Sequence, residues 1–87
     1  MDATTYHPLG IDIAKRSFDV SLRLPTGKYR HKKFNNDLAG FQALLVWLNQ
    51  HTAAPVHACL EATGTYGEAL AAFLHDHGQR VSVVNPK

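Results

Sequence analysis

The sequence predicts an α/β domain with elements in the order β-β-β-α-β-α-β and a mixed five-stranded sheet in the order 3-2-1-4-5, the helices packed on the sheet. Three observations predict it. Near the start, Leu9, Ile11 and Ile13 alternate with Gly10, Asp12 and Ala14, and Phe18, Val20, Leu22 and Leu24 alternate with Ser17, Asp19, Ser21 and Arg23, the period of two that marks strands. Leu38, Phe41, Leu44, Leu45 and Leu48 then recur at helical spacing. Two later runs, Val56 to Leu60 and Val81 to Val84, are long enough for strands and too short for helices.

Taken in order, Pro8 sets up an extended entry into a first strand from Leu9 to Ala14. Only Lys15 and Arg16 separate it from the second strand, so the two are antiparallel. Pro25-Thr26-Gly27 signals a turn into a basic third strand from Lys28 to Asn35. Asn35-Asn36-Asp37 offers helix N-cap chemistry for a helix running to about His51. Thr52 to Pro55 is a loop, and Ala62-Thr63-Gly64 turns the chain after the fourth strand. Thr65 and Glu68 match a capping box for a second helix from Tyr66 to His77, with Leu70, Phe73, Leu74 and His77 inward and Gly78 ending it. Right-handed crossovers then put strand four parallel to strand one and strand five beside strand four.

The 87 residues make one small domain, of a size that buries only about 60% of its unfolded surface. Apolar content of 45% and charged content of 18% fit a water-soluble globular protein, and no apolar run approaches a membrane span. Met1 to Thr5 has no secretory pattern, so the expected location is cytoplasmic. Cys59 has no partner for a disulfide, and its apolar neighbours predict a buried small side chain. The net charge of +2 is too mild to indicate nucleic acid by itself.

Asp12 needs a physical reason. A carboxylate within a buried strand costs several kcal/mol to desolvate unless it is paired, hydrogen-bonded or bound to a cation. Lys15 is one candidate partner and a metal ion another. In the predicted sheet Asp12 lies on the central strand and Glu61 at the carboxyl end of its neighbour, where open α/β sheets build their sites. Two such carboxylates suit Mg²⁺ or Mn²⁺, hard cations that take one or two carboxylates and fill the remaining positions with water and phosphate oxygens. Two-metal phosphoryl-transfer sites place their ions ~3.5–4 Å apart, and they use three or four acids where this chain offers two.

Three blocks, Gly10-Ile11-Asp12-Ile13-Ala14-Lys15, Leu60-Glu61-Ala62-Thr63-Gly64-Thr65-Tyr66 and Val83-Val84-Asn85-Pro86, together resemble the amino-terminal part of the DEDD insertion-sequence transposases of the one-ten group and of the similar Piv-type DNA invertases. The resemblance implies a RuvC-like domain of ribonuclease-H fold, with Asp12 and Glu61 as catalytic, metal-binding acids. It also implies DNA as substrate, a structured guide RNA and the rest of a longer chain as partners. Members of that family are several times longer. Their third and fourth acids and a serine-bearing second domain lie further along, so residues 1–87 correspond to an amino-terminal part that does not cut DNA alone, in which self-association could cover the place of the second domain.

Other readings compete at each position. Asp12 could simply pair with Lys15, and Glu61 could be a solvated strand end. Lys15 could steady the acids or contact phosphate. Lys28, Arg30, His31, Lys32 and Lys33 form a candidate phosphate-tracking strip, yet lysines on an edge strand also serve as a defence against sheet-to-sheet pairing. His75 and His77 suit a helix carboxyl end, and Trp47 with Leu44 could form a partner surface. For the whole domain, one alternative is an actin-like or sugar-kinase-type ATPase, opposed by Ala14 where that fold's phosphate loop has glycine. Another is a non-catalytic DNA-binding or assembly module of the same fold.

Overall fold

Alternation decides the architecture. The computed structural model describes residues 5–61 and 64–84, and within them β1 (His7–Ile13), β2 (Ser17–Arg23), β3 (Tyr29–Asn35), α1 (Leu38–His51), β4 (Val56–Glu61), α2 (Glu68–Asp76) and β5 (Arg80–Val84) follow in that order. The strands form one sheet ordered β3-β2-β1-β4-β5. β1–β2 and β2–β3 pair antiparallel, and β1–β4 and β4–β5 pair parallel. The expected class, element order and sheet order are those of the structure. The turn predicted at Ala62 and Thr63, the ragged start before Thr5 and the residues from Asn85 to Lys87 lie outside the described part.

In β1, β2 and β4 one parity is buried, β3 adds Phe34, and β5 has no buried residue. Leu9 and Ile11 of β1, Phe18, Val20 and Leu22 of β2, Phe34 of β3, and Val56, Ala58 and Leu60 of β4 join Phe41, Leu44 and Leu48 of α1 and Leu70 and Leu74 of α2 in a single core. Burying each of the larger side chains contributes about 1.5–3 kcal/mol. Phe18 stacks on Phe34 at 5.6 Å and meets Phe41 at 6.1 Å, and Phe41 contacts Phe73 at 5.5 Å, so one aromatic chain ties the hairpin to both helices. Both helices therefore cover the same face of the sheet, and the opposite face is open.

The helix ends follow local chemistry. Asp37 caps α1, its carboxylate accepting from the Gly40 N–H at 2.8 Å. Gly40 is required there, because a Cβ would lie 1.8 Å from the Asn35 carbonyl oxygen. α2 departs from expectation. It starts at Glu68 with Gly67 as N-cap and no side-chain cap, so the predicted capping box of Thr65 and Glu68 does not form. Gly67 is closely packed there: a Cβ on it would lie 2.7 Å from a Leu60 methyl. At the other end Gly78 has φ +81°. The Gly78 N–H donates to His75 and the Gln79 N–H to Leu74, the paired bonds of a glycine-terminated helix.

Leu44 is fully buried, which removes it from any partner surface with Trp47. Trp47 is itself half-buried, edge-on to Phe34 at 5.9 Å and to His51 at 4.9 Å.

Candidate metal centre

The open face carries the chemistry. Asp12 stands directly opposite Asp19, which in turn stands opposite Lys33. On the other side Ile11 pairs with Leu60 and Glu61 with Val84, so Asp12, one residue beyond Ile11, falls beside Glu61. A single row thus runs Lys33, Asp19, Asp12, Glu61, Val84 across all five strands. All five of these residues are exposed. This corrects the expectation of a carboxylate in a buried strand: the small neighbours of Asp12 leave an uncovered surface, and no desolvation has to be offset.

Two grooves meet at the acids. One, of about 470 Å³, lies along the sheet and includes Gly10, Asp12, Asp19, Cys59, Glu61 and Val84 in its walls. The other, of about 670 Å³, lies beyond the strand ends, among Ile11, Asp12, Ile13, Ala14, Lys15, Glu61 and Tyr66. Asp12 and Glu61 face both. Lys15 shares the second groove with them but is not an ion-pair partner of Asp12. Among the described residues the one contact of a basic with an acidic side chain within 4 Å is His75 Nδ1 with Asp76, at 3.8 Å and exposed. No group of three or more His, Cys, Asp or Glu among the described residues is placed to hold a metal. Asp12 and Glu61 thus offer exposed, unneutralised carboxylate oxygens with room around them, a donor set that fits an incompletely protein-ligated Mg²⁺ or Mn²⁺.

Asn36 ties the turn after Asp12 to Tyr66. Its side-chain N–H groups donate to the Ala14 carbonyl at 3.1 Å, the Lys15 carbonyl at 3.4 Å and the Tyr66 carbonyl at 2.9 Å. Its backbone N–H donates to Arg16 at 2.9 Å, and the turn closes with the Ala14 N–H on Ser17 at 2.8 Å. Sequence reasoning had seen Asn36 only as cap chemistry, and it missed Asp19. For Asp19 a signal existed, since inward Phe18 and Val20 put it on the face of Asp12 across a short turn.

The basic strip does not stay together. Lys28 precedes β3, whereas Arg30 and Lys32 share the parity of buried Phe34 and project toward the helix side. Lys32 lies 5.9 Å from the Phe34 ring. Tyr29, His31 and Lys33 take the open face. β3 is an edge strand, as the defensive reading requires. Cys59 is exposed, correcting its predicted burial, because it shares the outward parity of His57 and Glu61. Elsewhere on that face His57 Nε2 and Ser82 Oγ are hydrogen-bonded at 2.6 Å, and the Arg80 guanidinium lies over the Tyr6 ring at 4.8 Å. His77 is the C-cap of α2, and its Nδ1–H donates to the Phe73 carbonyl at 2.7 Å.

A mixed sheet ordered β3-β2-β1-β4-β5, with an acid on the central strand and a second at the end of its parallel neighbour, defines a ribonuclease-H-like domain. The chain belongs to the DEDD transposase family of the IS110 type, whose model, described as a transposase, matches residues 9–87. It is 39% identical over 80 residues to the pilin gene-inverting protein of Moraxella bovis and 38% identical over 80 residues to that of Moraxella lacunata. Each match covers 90% of this chain and 24% of the relative, so the chain spans about a quarter of the length of these proteins.

Proposed function

We propose that this chain is the amino-terminal catalytic-domain part of a DNA transposase or site-specific DNA invertase, contributing Asp12 and Glu61 to a divalent-metal site for DNA strand cleavage and transfer. The observation that carries the reading is the register that sets the two acids side by side on parallel strands, both facing the same two grooves. Mg²⁺ or Mn²⁺ held there would act as a Lewis acid on a phosphodiester oxygen. Two carboxylates leave coordination positions for oxygens of the substrate and for further acids from the rest of the protein. The residues 1–87 alone then bind metal weakly and do not cut DNA.

Of the described lysines and arginines, Lys15 is the one that shares a groove with both acids, which supports a role as a point charge toward phosphate. Lys33 stands on the same face next to Asp19. Lys28, Arg30 and Lys32 are suited to outlying phosphate contacts or to protecting the sheet edge. DNA is the proposed substrate, with a structured guide RNA, the rest of the protein and a second copy of the chain as further partners, in the cytoplasm.

The test is a Mn²⁺ titration of the ¹⁵N-labelled chain followed by paramagnetic broadening. Broadening is expected first at Asp12 and Glu61 and is expected to be lost in Asp12→Asn and Glu61→Gln. Broadening spread evenly over the histidines and surface acids, unchanged by those substitutions, would overturn the assignment.

A further inference from the structure

We infer that Asn36 is a positioning residue for the metal centre, holding the turn after Asp12 and the segment at Tyr66, both of which wall the groove that the acids face, in one fixed relation; this rests on the metal reading above. The two acids lie on neighbouring strands, and β1 ends one residue beyond Asp12. β1 stops at Ile13, so from Ala14 on that segment leaves the sheet's ladder with β4. Asn36 takes over at that point. It comes from a third place in the chain, the link between β3 and α1, and its one amide group reaches the carbonyls of Ala14 and Lys15 on one side and of Tyr66 on the other.

Geometry makes this a brace. The backbone of Asn36 is itself tied to Arg16 at 2.9 Å, and the next residue, Asp37, caps α1. The amide is therefore anchored to the rigid helix start and cannot follow the loops if they drift. Its contacts span 22, 21 and 30 residues of sequence. Two of the residues it holds, Ala14 and Lys15, and the third, Tyr66, also wall the groove that Asp12 and Glu61 face. The amide has two N–H donors for three carbonyls, so one goes to Tyr66 and the other is shared between the adjacent carbonyls of Ala14 and Lys15, a two-donor role on a short stem that suits asparagine. None of these contacts involves a carboxylate, so Asn36 acts on the acids only through the segments that carry them.

The experiment compares Mn²⁺ titrations of the wild-type chain, Asn36→Ala, Asn36→Ser and Asp12→Asn, read by broadening at Asp12 and Glu61 well below each melting temperature. Outer groups that orient metal ligands typically change affinity 10–100-fold. Asn36→Ala is expected to need roughly tenfold more Mn²⁺ for half-broadening, and Asn36→Ser, which keeps one donor, to fall between. A merely structural Asn36 would lower the melting temperature and leave the half-broadening concentration of the folded protein unchanged, which would overturn the inference. Should Asn36→Ala fail to fold, Asn36→Ser decides by the same criterion. If Asp12→Asn broadens as the wild type does, the metal reading itself fails and this inference falls with it. A normal Asp12 response with unshifted Asn36 variants rejects the brace alone.

Discussion

Asp12 and Asp19 face each other across the antiparallel β1–β2 pair, two carboxylates at one register position. Their surroundings differ. Asp19 has Lys33 on its other side, while Asp12 has Glu61, so Asp12 is flanked by like charge from both directions. Like charges directly opposite in a sheet destabilise it. Asp12→Asn is therefore expected to stabilise the metal-free chain by roughly 0.2–1 kcal/mol at low salt. Asp19→Asn should be close to neutral, since it relieves one repulsion and removes one attraction. Urea unfolding at low and at high ionic strength checks both, and the gain from Asp12→Asn should shrink as salt screens the row. A carboxylate kept at a cost to stability is what a functional site predicts.

The two close-approach glycines should respond differently to alanine. At Gly40 the new methyl meets the Asn35 carbonyl oxygen at 1.8 Å, backbone against backbone, so the start of α1 must shift. Gly40→Ala is expected to cost about 2–3 kcal/mol, despite the higher helix propensity of alanine. At Gly67 the obstacle is the end of the Leu60 side chain, which can rotate aside, and the remaining loss is that of an N-cap glycine, about 1 kcal/mol. Denaturant unfolding of the two variants side by side would measure the difference; equal costs would contradict the packing described.

The strand order was legible because β1 and β2 alternate cleanly and the link of Ala14 to Arg16 leaves no other pairing, and α1 because Leu38 to Leu48 keeps one stripe. The layering was harder to see. Alternation tells which residues share a face, but it does not tell whether a second layer covers the other face, so Asp12 among Gly10 and Ala14 looked buried when it is open to water. Cys59 misled for a related reason: the apolar run around it hid an alternation that His57 and Glu61 reveal. Asp12 and Glu61 themselves were found through motif spacing. Asn36 had no such signal, because its partners lie more than 20 residues away and an Asn-Asn-Asp run reads first as a helix cap.

Cys59 on the open face is expected to behave as an accessible thiol. It sits between Gly10 and Ser82 in register, two small neighbours that leave its sulfur open to reagents. The folded chain should react with one equivalent of an aromatic disulfide reagent without denaturant, at a rate proportional to reagent concentration. A rate independent of reagent concentration would mean that the thiol is reached only through opening of the sheet. Mn²⁺ bound at Glu61, two residues along the same strand, should slow the reaction by crowding the groove.

Gln79 closes the fold at the opposite end of the sheet from the acids. Its side-chain carbonyl accepts the N–H of Val56 at 2.7 Å, and its side-chain N–H donates to the His77 carbonyl at 3.2 Å. Val56 is buried at the start of β4, and its N–H would otherwise lack a partner where the strand begins. Gln79→Leu removes the acceptor and puts an apolar group against that donor, and should cost about 1–3 kcal/mol, the usual penalty for an unsatisfied buried group. Gln79→Glu keeps the acceptor on the same stem and should lose much less, forfeiting only the bond to His77. Equilibrium unfolding separates the two, and hydrogen exchange at the Val56 amide gives the local view. Exchange should accelerate strongly in Gln79→Leu and little in Gln79→Glu. If both variants exchange alike, the Val56 amide is held by something other than the Gln79 oxygen.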